Sequence, residues 1–340
     1  MIKTPIERFP WPLTDSVFRY SANVEPARTV RTTAAGAWGG SILDVDEHYA
    51  ETVALRQSIF DAEPERCQIL PHMEVAAWDT LLFCLTELAV TYPESMHLRR
   101  SGNTYHWQND LLDLTADFEF GVESSLPVPP LRFAATQLQE DIVLLDQREG
   151  RLFADGVALS FSGTWSNTFV VGMGFADIHG PVPRIHENGL VSRTEQFLMN
   201  LTPGEDYRRT SWVIAVSPRL DMSLEQFPTW GADTLRRITD DGAYGEARLR
   251  VEVQHSVRLP TSHAVLFLVK THLCPLADIV TVPEWAAQLH AVMEELPPDL
   301  VAHKGFGEFR EEILDWLRER VDSHTAAQVG KETAVVGHPA

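Results

Sequence analysis

Hydrophobic and polar positions change their period along this chain, and the changes divide it into elements. Residues 1–40 show no sustained period; prolines and small residues predominate there, and an irregular segment is expected. From Asp46 the apolar spacing becomes helical. Asp46 can cap a segment running to about Ala62, and Met73 to Thr91 reads as a strongly apolar helix closed by Pro93. Met96 to Trp107 reads as strand, turning back at Ser101-Gly102-Asn103. Pro129-Pro130 opens a third helical pattern with Phe133, Leu138, Ile142 and Leu145 on one face and Glu140-Asp141 inside it.

From Arg151 the character changes. Arg151–Phe161 and Phe169–Ile178 read as strands joined by a polar linker. A helix over Val191–Leu201 precedes three further strand patterns, Thr210–Ser217, Ala247–Leu259 and His263–His272. The turn Pro260-Thr261-Ser262 is short enough to pair the last two as an antiparallel hairpin. Pro283 to Leu296 and Gly307 to Asp322 are helical, and residues 326–340, rich in Ala, Gly and Thr, are expected to form a disordered tail. No repeat occurs at any fixed period. Helices at both ends of an antiparallel sheet predict an α+β fold, with residues 41–325 as one elaborated domain.

Composition narrows the function. The chain has 340 residues, 44% apolar and 22% charged, enough to bury a self-sufficient core. Lys and Arg number 28 against 48 Asp and Glu, a net charge of −20 that disfavours a grip on nucleic acid. Cys67, Cys84 and Cys274 form no C-x-x-C pair, which excludes a disulfide framework, a four-thiolate zinc site and an iron–sulfur cluster held by this chain alone. Met1–Asp15 carries Lys3, Glu7, Arg8 and three prolines, unlike a signal peptide. The longest charge-free run, between Asp155 and Asp177, is too polar to span a membrane. A cytoplasmic location without membrane contact is the expectation.

Three segments have chemical potential. Along Arg248–Leu259, Leu249, Val251, Val253, His255, Val257 and Leu259 alternate with Arg248, Arg250, Glu252, Gln254, Ser256 and Arg258. The polar row suits either a solvated outer face or a pocket wall, in which arginines bind carboxylates and Glu252 handles a cation or proton. His179 stands in Asp177-Ile178-His179-Gly180-Pro181-Val182-Pro183, where Gly180 leaves room for a ligand and two prolines stiffen the loop. Such a loop suits an axial metal ligand, or else a turn held by its histidine. Tyr207-Arg208-Arg209-Thr210-Ser211-Trp212 is either a surface charge pair beside a core Trp or a clamp for propionate or phosphate. The 13 histidines include no H-E-x-x-H, and no dinucleotide, Walker or G-x-S-x-G motif occurs.

Taken together, Gln139-Glu140-Asp141, Trp165, Ile178-His179-Gly180-Pro181-Val182-Pro183, Arg209-x-x-Trp212, Leu249-Arg250-x-Glu252-x-Gln254, Arg258-Leu259-Pro260 and Lys304-Gly305 have a recognisable order. In that order they resemble the α subunit of the haem-dependent oxidative N-demethylases, the dimethylamine monooxygenases, over roughly residues 95–306. The chain departs from the family pattern at Val253, His255, Ser256 and Val257. The resemblance implies a PAS-like antiparallel sheet that binds haem b as an enzyme. It further implies oxidation of a secondary amine such as dimethylamine with O2, through a carbinolamine, to methylamine and formaldehyde. Electrons would come from NADPH through a reductase subunit carrying FMN and [2Fe–2S]. A folate-binding, glycine-cleavage-like subunit would capture formaldehyde on tetrahydrofolate.

On this resemblance His179 is expected to be the proximal iron ligand, oriented by Asp177 or a backbone carbonyl; His106, His186 and His255 are the other candidates. Arg208, Arg209, Arg250 and Arg258 are candidates to neutralise haem propionates, and Glu252 and Trp212 to hold the amine and take its proton. A haem-binding PAS sensor and a haem-free scaffold subunit are the competing classes.

Overall fold

The computed structural model of the chain describes residues 2–166, 169–187 and 189–336, from residue 328 by backbone alone. An irregular N-terminal segment contains β1 (Glu25–Pro26) and a short hairpin of β2 (Val30–Thr32) and β3 (Ala37–Gly39). Then follow α1 (Tyr49–Ala62), β4 (Cys67–Ile69), α2 (Glu74–Thr91) and a three-stranded meander of β5 (Met96–Ser101), β6 (Thr104–Asn109) and β7 (Leu114–Glu119). α3 (Pro130–Ala135) leads to the hairpin β8 (Asp141–Arg148) and β9 (Arg151–Ala158). After α4 (Phe175–Ile178) and α5 (Leu190–Met199) come β10 (Tyr207–Ala215), α6 (Phe227–Thr239), β11 (Arg248–Arg258) and β12 (Val265–Pro275). The chain ends in α7 (Leu276–Ile279), α8 (Pro283–Glu295), α9 (Pro298–His303) and α10 (Arg310–Val336). α10 enters the segment expected to be a tail; residues 337–340 lie outside the described residues, as do Asn167 and Thr168 of the polar linker.

The centre is one antiparallel sheet of seven strands in the order β1-β10-β11-β12-β8-β9-β4. β11 and β12 are paired along their full length, from Arg248↔Pro275 to Arg258↔Val265, as the period-two pattern and the short turn require. The architecture is α+β. Two apolar cores cover one face at its two ends. Ile142, Leu144, Leu266 and Leu268 pack with Trp78, Leu81 and Leu85 of α2, whereas Trp212, Ile214, Leu249 and Val251 pack with Trp285, Leu289 and Val292 of α8. On the opposite face Leu145, Leu152 and Val265 meet Phe175, Val191 and Leu198, and Leu273 meets Phe161 and Leu220.

Two predicted elements are replaced. The helix expected through Leu145 stops at Ala135, and β8 starts at Asp141. Buried Arg56 of α1 is the cause: its guanidinium donates to the carbonyls of Ala135 (3.0 Å), Leu138 (2.7 Å) and Gln139 (3.1 Å), turning the chain out of the helix. The strand expected over Phe169–Ile178 is a turn followed by α4, touching the sheet through one bridge, Phe153↔Gly174. Gly172 has φ +87° there, a backbone state that strands do not use. β7 and α6 have no counterpart in the sequence reading.

Candidate functional site

Alternation along the strands sorts the predicted residues onto two faces. Cross-strand pairing sets Arg209 against Gln254, Ser211 against Glu252 and Val213 against Arg250 on one face. It sets Arg208 against His255 and Trp212 against Val251 on the other. Glu252 and Trp212, expected to act together on an amine, therefore project to opposite sides of the sheet.

On the first face the strand ends are covered, and the middle is not. Val143, Arg209, Ser211, Val213, Glu252, Gln254, Phe267 and Val269 are half-buried at the centre of a seven-stranded sheet, where the other face of β11 is buried from Leu249 to Val257. The polar row of β11 is thus not a solvated outer face: Arg250, Ser256 and Arg258 are buried at its ends, leaving Glu252 and Gln254 half-open.

His179 borders this area. α4 makes a single turn, and Pro181 and Pro183 stop it from continuing. The carbonyl of Phe175, left over at the helix end, accepts the His179 Nδ1 proton at 2.7 Å. The Phe175 ring lies 4.4 Å from the imidazole. Nε2 has no hydrogen-bond partner among the described residues, and burial lowers the imidazole pKa, so the ring is neutral at pH 7. Asp177 does not orient the ring; it is exposed and pairs with Arg151 at 3.2 Å. The loop is pinned from outside, since Tyr20 Oη donates to the Pro183 carbonyl (2.7 Å) and Arg184 forms a two-pronged pair with Asp299 (2.6 and 2.8 Å). His179, Phe175, Phe197, Tyr207, Arg209 and Phe267 line a small cavity of about 30 Å³ at the edge of the half-open area.

The four arginines separate by their partners. Arg209 forms no hydrogen bond or ion pair among the described residues; its Nε is buried without an acceptor, and burial lowers its pKa against the pull of Glu252. Arg208, on the other face, donates to Glu25 Oε1 (2.9 Å) and the Thr29 carbonyl and stacks on Trp38 at 4.1 Å. Arg250 is held by the carbonyls of Leu220 (2.8 Å) and Phe161 and by Thr271 Oγ1. Arg258 closes the C-terminus of α5, donating to the carbonyls of Leu198, Met199 and Leu201. Of the four, only Arg209 presents an uncommitted guanidinium beside His179. Glu252 accepts from Gln254 Nε2 at 3.0 Å and lies 3.6 Å from Arg250 Nε.

Lys304 was legible as a motif without a role. Its Nζ donates to the Trp212 carbonyl at 2.6 Å and lies 4.5 Å from the Trp212 ring centre. Burial and then the neighbouring Arg209 pull its pKa down to about 8, opposed by Glu252. Its carbonyl accepts from Ile214 N at 2.7 Å, which caps the free edge of β10. Gly305 is required beside it: φ is +84°, and a Cβ would stand 2.3 Å from the Ile214 carbonyl oxygen.

The other candidate histidines lie elsewhere. His106 is on the meander, paired with Asp117 at 2.8 Å, and His186 is exposed. His255 lines a cavity of about 150 Å³ on the opposite face with Trp38, Arg208, Glu140, Lys270 and His272. There Lys270 is held by Asp44 (2.8 Å) and Asp46 (3.0 Å). Glu140 is not helical as expected; it accepts from Asp44 N at 3.0 Å, and burial raises its pKa to about 7 against the pull of Lys270. A carboxyl with a raised folded-state pKa contributes stability while protonated and loses it as pH rises from the ordinary value through about 7. Glu140→Gln keeps the acceptor for Asp44 N. Against Lys270, Asp44, Asp46 and His272, it is expected to stabilise the protein by roughly 1–3 kcal/mol above neutrality and to flatten the pH slope below it, as read by denaturant unfolding across pH.

No helix among the described residues is long and apolar enough to cross a membrane. A neutral, oriented imidazole and an uncommitted arginine lie beside a half-open sheet face, a donor set that could hold a large ligand with a metal centre and acidic edges. The motifs that build this area fall within residues 35–314, which match the model of the haem-dependent oxidative N-demethylase, alpha subunit-like proteins, and the chain belongs to that family.

Proposed function

We propose that this chain is the haem-binding catalytic subunit of a monooxygenase that demethylates a small secondary amine such as dimethylamine, yielding methylamine and formaldehyde. The observation that carries this reading is His179, whose Nδ1 is tied to a main-chain carbonyl while Nε2, beside a half-open sheet face, has no partner among the described residues. A metal-bound histidine typically has its second nitrogen fixed in this way. The chemistry of the donors fits haem b: a neutral imidazole for iron, half-buried Arg209, which has no acceptor among the described residues, for a propionate, and Phe267, Val269, Val143 and Val213 as an apolar platform. In this reading the antiparallel sheet is a PAS-like haem platform.

When bound, haem supplies activation of O2 and oxidation at the N-methyl carbon. The chain's own groups handle the amine, which is a cation at neutral pH. Glu252 projects from the centre of the open area and is suited to pair with the ammonium and accept its proton. Arg209 and Lys304 both lie close enough to interact electrostatically with Glu252. Trp212 acts from the far side of the sheet by holding Lys304 through its carbonyl and ring. Arg208, Arg250 and Arg258 position strands and helix ends. Electrons are proposed to arrive from NADPH through a partner with FMN and [2Fe–2S], and a folate-binding partner to remove formaldehyde on tetrahydrofolate.

The test is formaldehyde and methylamine release by the haem-loaded chain given dimethylamine, O2 and reductant. Glu252→Gln is expected to raise the KM for the amine at least about tenfold, the worth of a lost charged hydrogen bond, with haem content unchanged. An unaltered KM removes Glu252 from amine binding.

A further inference from the structure

The larger cavity, on the opposite face of the sheet, has no part in the haem reading and does not depend on it. It lies between the two apolar cores of that face, where the strands turn polar at His255, Lys270 and His272. Three of its lining residues carry buried polar atoms with no hydrogen-bond partner among the described residues: Trp38 Nε1, Arg208 Nη1, and both ring nitrogens of His255. Arg208 is 1% exposed and His255 4%, so these groups are withdrawn from bulk water. Leaving such groups unpaired is costly, and their collection around one cavity marks a place for a ligand. Gly39 makes room for the Arg208 guanidinium: its φ is +88°, and a Cβ would fall 2.1 Å from Arg208 Nη1.

The free groups define the ligand. Arg208 and Trp38 can only donate, and a neutral imidazole offers one donor and one acceptor. The cations, by contrast, already have carboxylate partners. Arg208 is paired with Glu25, Lys270 with Asp44 and Asp46, and Arg8 with Glu47. An added anion would meet cations already paired, and an added cation would meet the repulsion of Lys270, Arg208 and Arg8. A neutral molecule satisfies both conditions when its carbonyl takes the Arg208 and Trp38 protons and its N–H serves the bare nitrogen of His255. We propose that this cavity binds a small neutral compound of the amide, lactam or urea class.

The experiment is a calorimetric and ligand-observed NMR titration of the full-length chain with 2-pyrrolidinone, and in parallel with acetate and methylammonium. Saturable binding of the lactam is expected, with acetate and methylammonium failing to compete. Trp38→Phe keeps the ring under Arg208 and removes one donor; His255→Leu removes the imidazole. Each is expected to weaken the lactam roughly tenfold while leaving haem content unchanged. Absence of saturable lactam binding, tighter binding of acetate, or affinity unchanged in both folded variants would each overturn the proposal, as would a lactam-soaked crystal with ordered water alone in the cavity.

Discussion

His179→Ala is expected to weaken haem binding by more than the roughly 10–100-fold that loss of a mere orienting partner costs a metal site. The side chain is only half-buried, and its one hydrogen bond among the described residues is to a carbonyl at the end of a single-turn helix, so the fold should survive its removal. The loop stays anchored from outside by Tyr20 and by the Arg184–Asp299 pair. Haem titration followed at the Soret band separates a lost ligand from a lost fold, because the variant should retain its far-UV signal and melting behaviour. Added imidazole is expected to restore part of the band by occupying the vacated position. Wild-type haem affinity with an unchanged spectrum assigns the iron to another residue.

Arg56→Met is expected to destabilise the protein by roughly 3–5 kcal/mol, the cost of leaving one member of a buried ion pair unpartnered. Arg56 is fully buried and pairs with Asp141 at 2.9 Å, and Asp141 also accepts from the amides of Ser160 (2.9 Å) and Phe161 (2.8 Å). Removal of the guanidinium would strand that carboxylate, along with three main-chain carbonyls. The midpoint of denaturant unfolding reads the loss. Asp141→Asn should also be costly, since it leaves the buried Arg56 cation without its counter-charge and turns a donor toward the Ser160 or Phe161 amide. A loss below about 1 kcal/mol for Arg56→Met would mean that the turn between α3 and β8 is held by other contacts.

The same arginine explains the main error in reading the sequence. Phe133, Leu138, Ile142 and Leu145 mimic one helical face, and nothing local says that a guanidinium from 79 to 83 residues upstream will take the carbonyls of the segment. Where the deciding contacts are local, the chain is transparent. β11 and β12 follow from strict alternation and a short turn, and His179 is marked out by the glycine and prolines after it. Arg208 and Arg209 precede the strand predicted from Thr210, so their opposite facing follows only from β10 starting at Tyr207. The same argument places Trp212 and Glu252 apart once the register Trp212↔Val251 is fixed, and only the fold fixes it. Arg250 and Arg258 looked like free cations on a polar row. Their acceptors come from Phe161, Leu220 and the end of α5, far away in sequence, so their structural use could not be read from the strand. Lys304 likewise gains its setting over Trp212 only when the C-terminal helices close on the edge of β10.

The most direct test is the absorption spectrum of the full-length chain after expression with haem supplied, recorded oxidised, reduced with dithionite, and again with dimethylamine added. A Soret band is expected that shifts with dimethylamine in the wild-type protein and is lost in His179→Ala. If haem supplied during expression or reconstitution gives no Soret band in the folded wild-type chain, the assignment of haem chemistry to the His179–Arg209 face is contradicted.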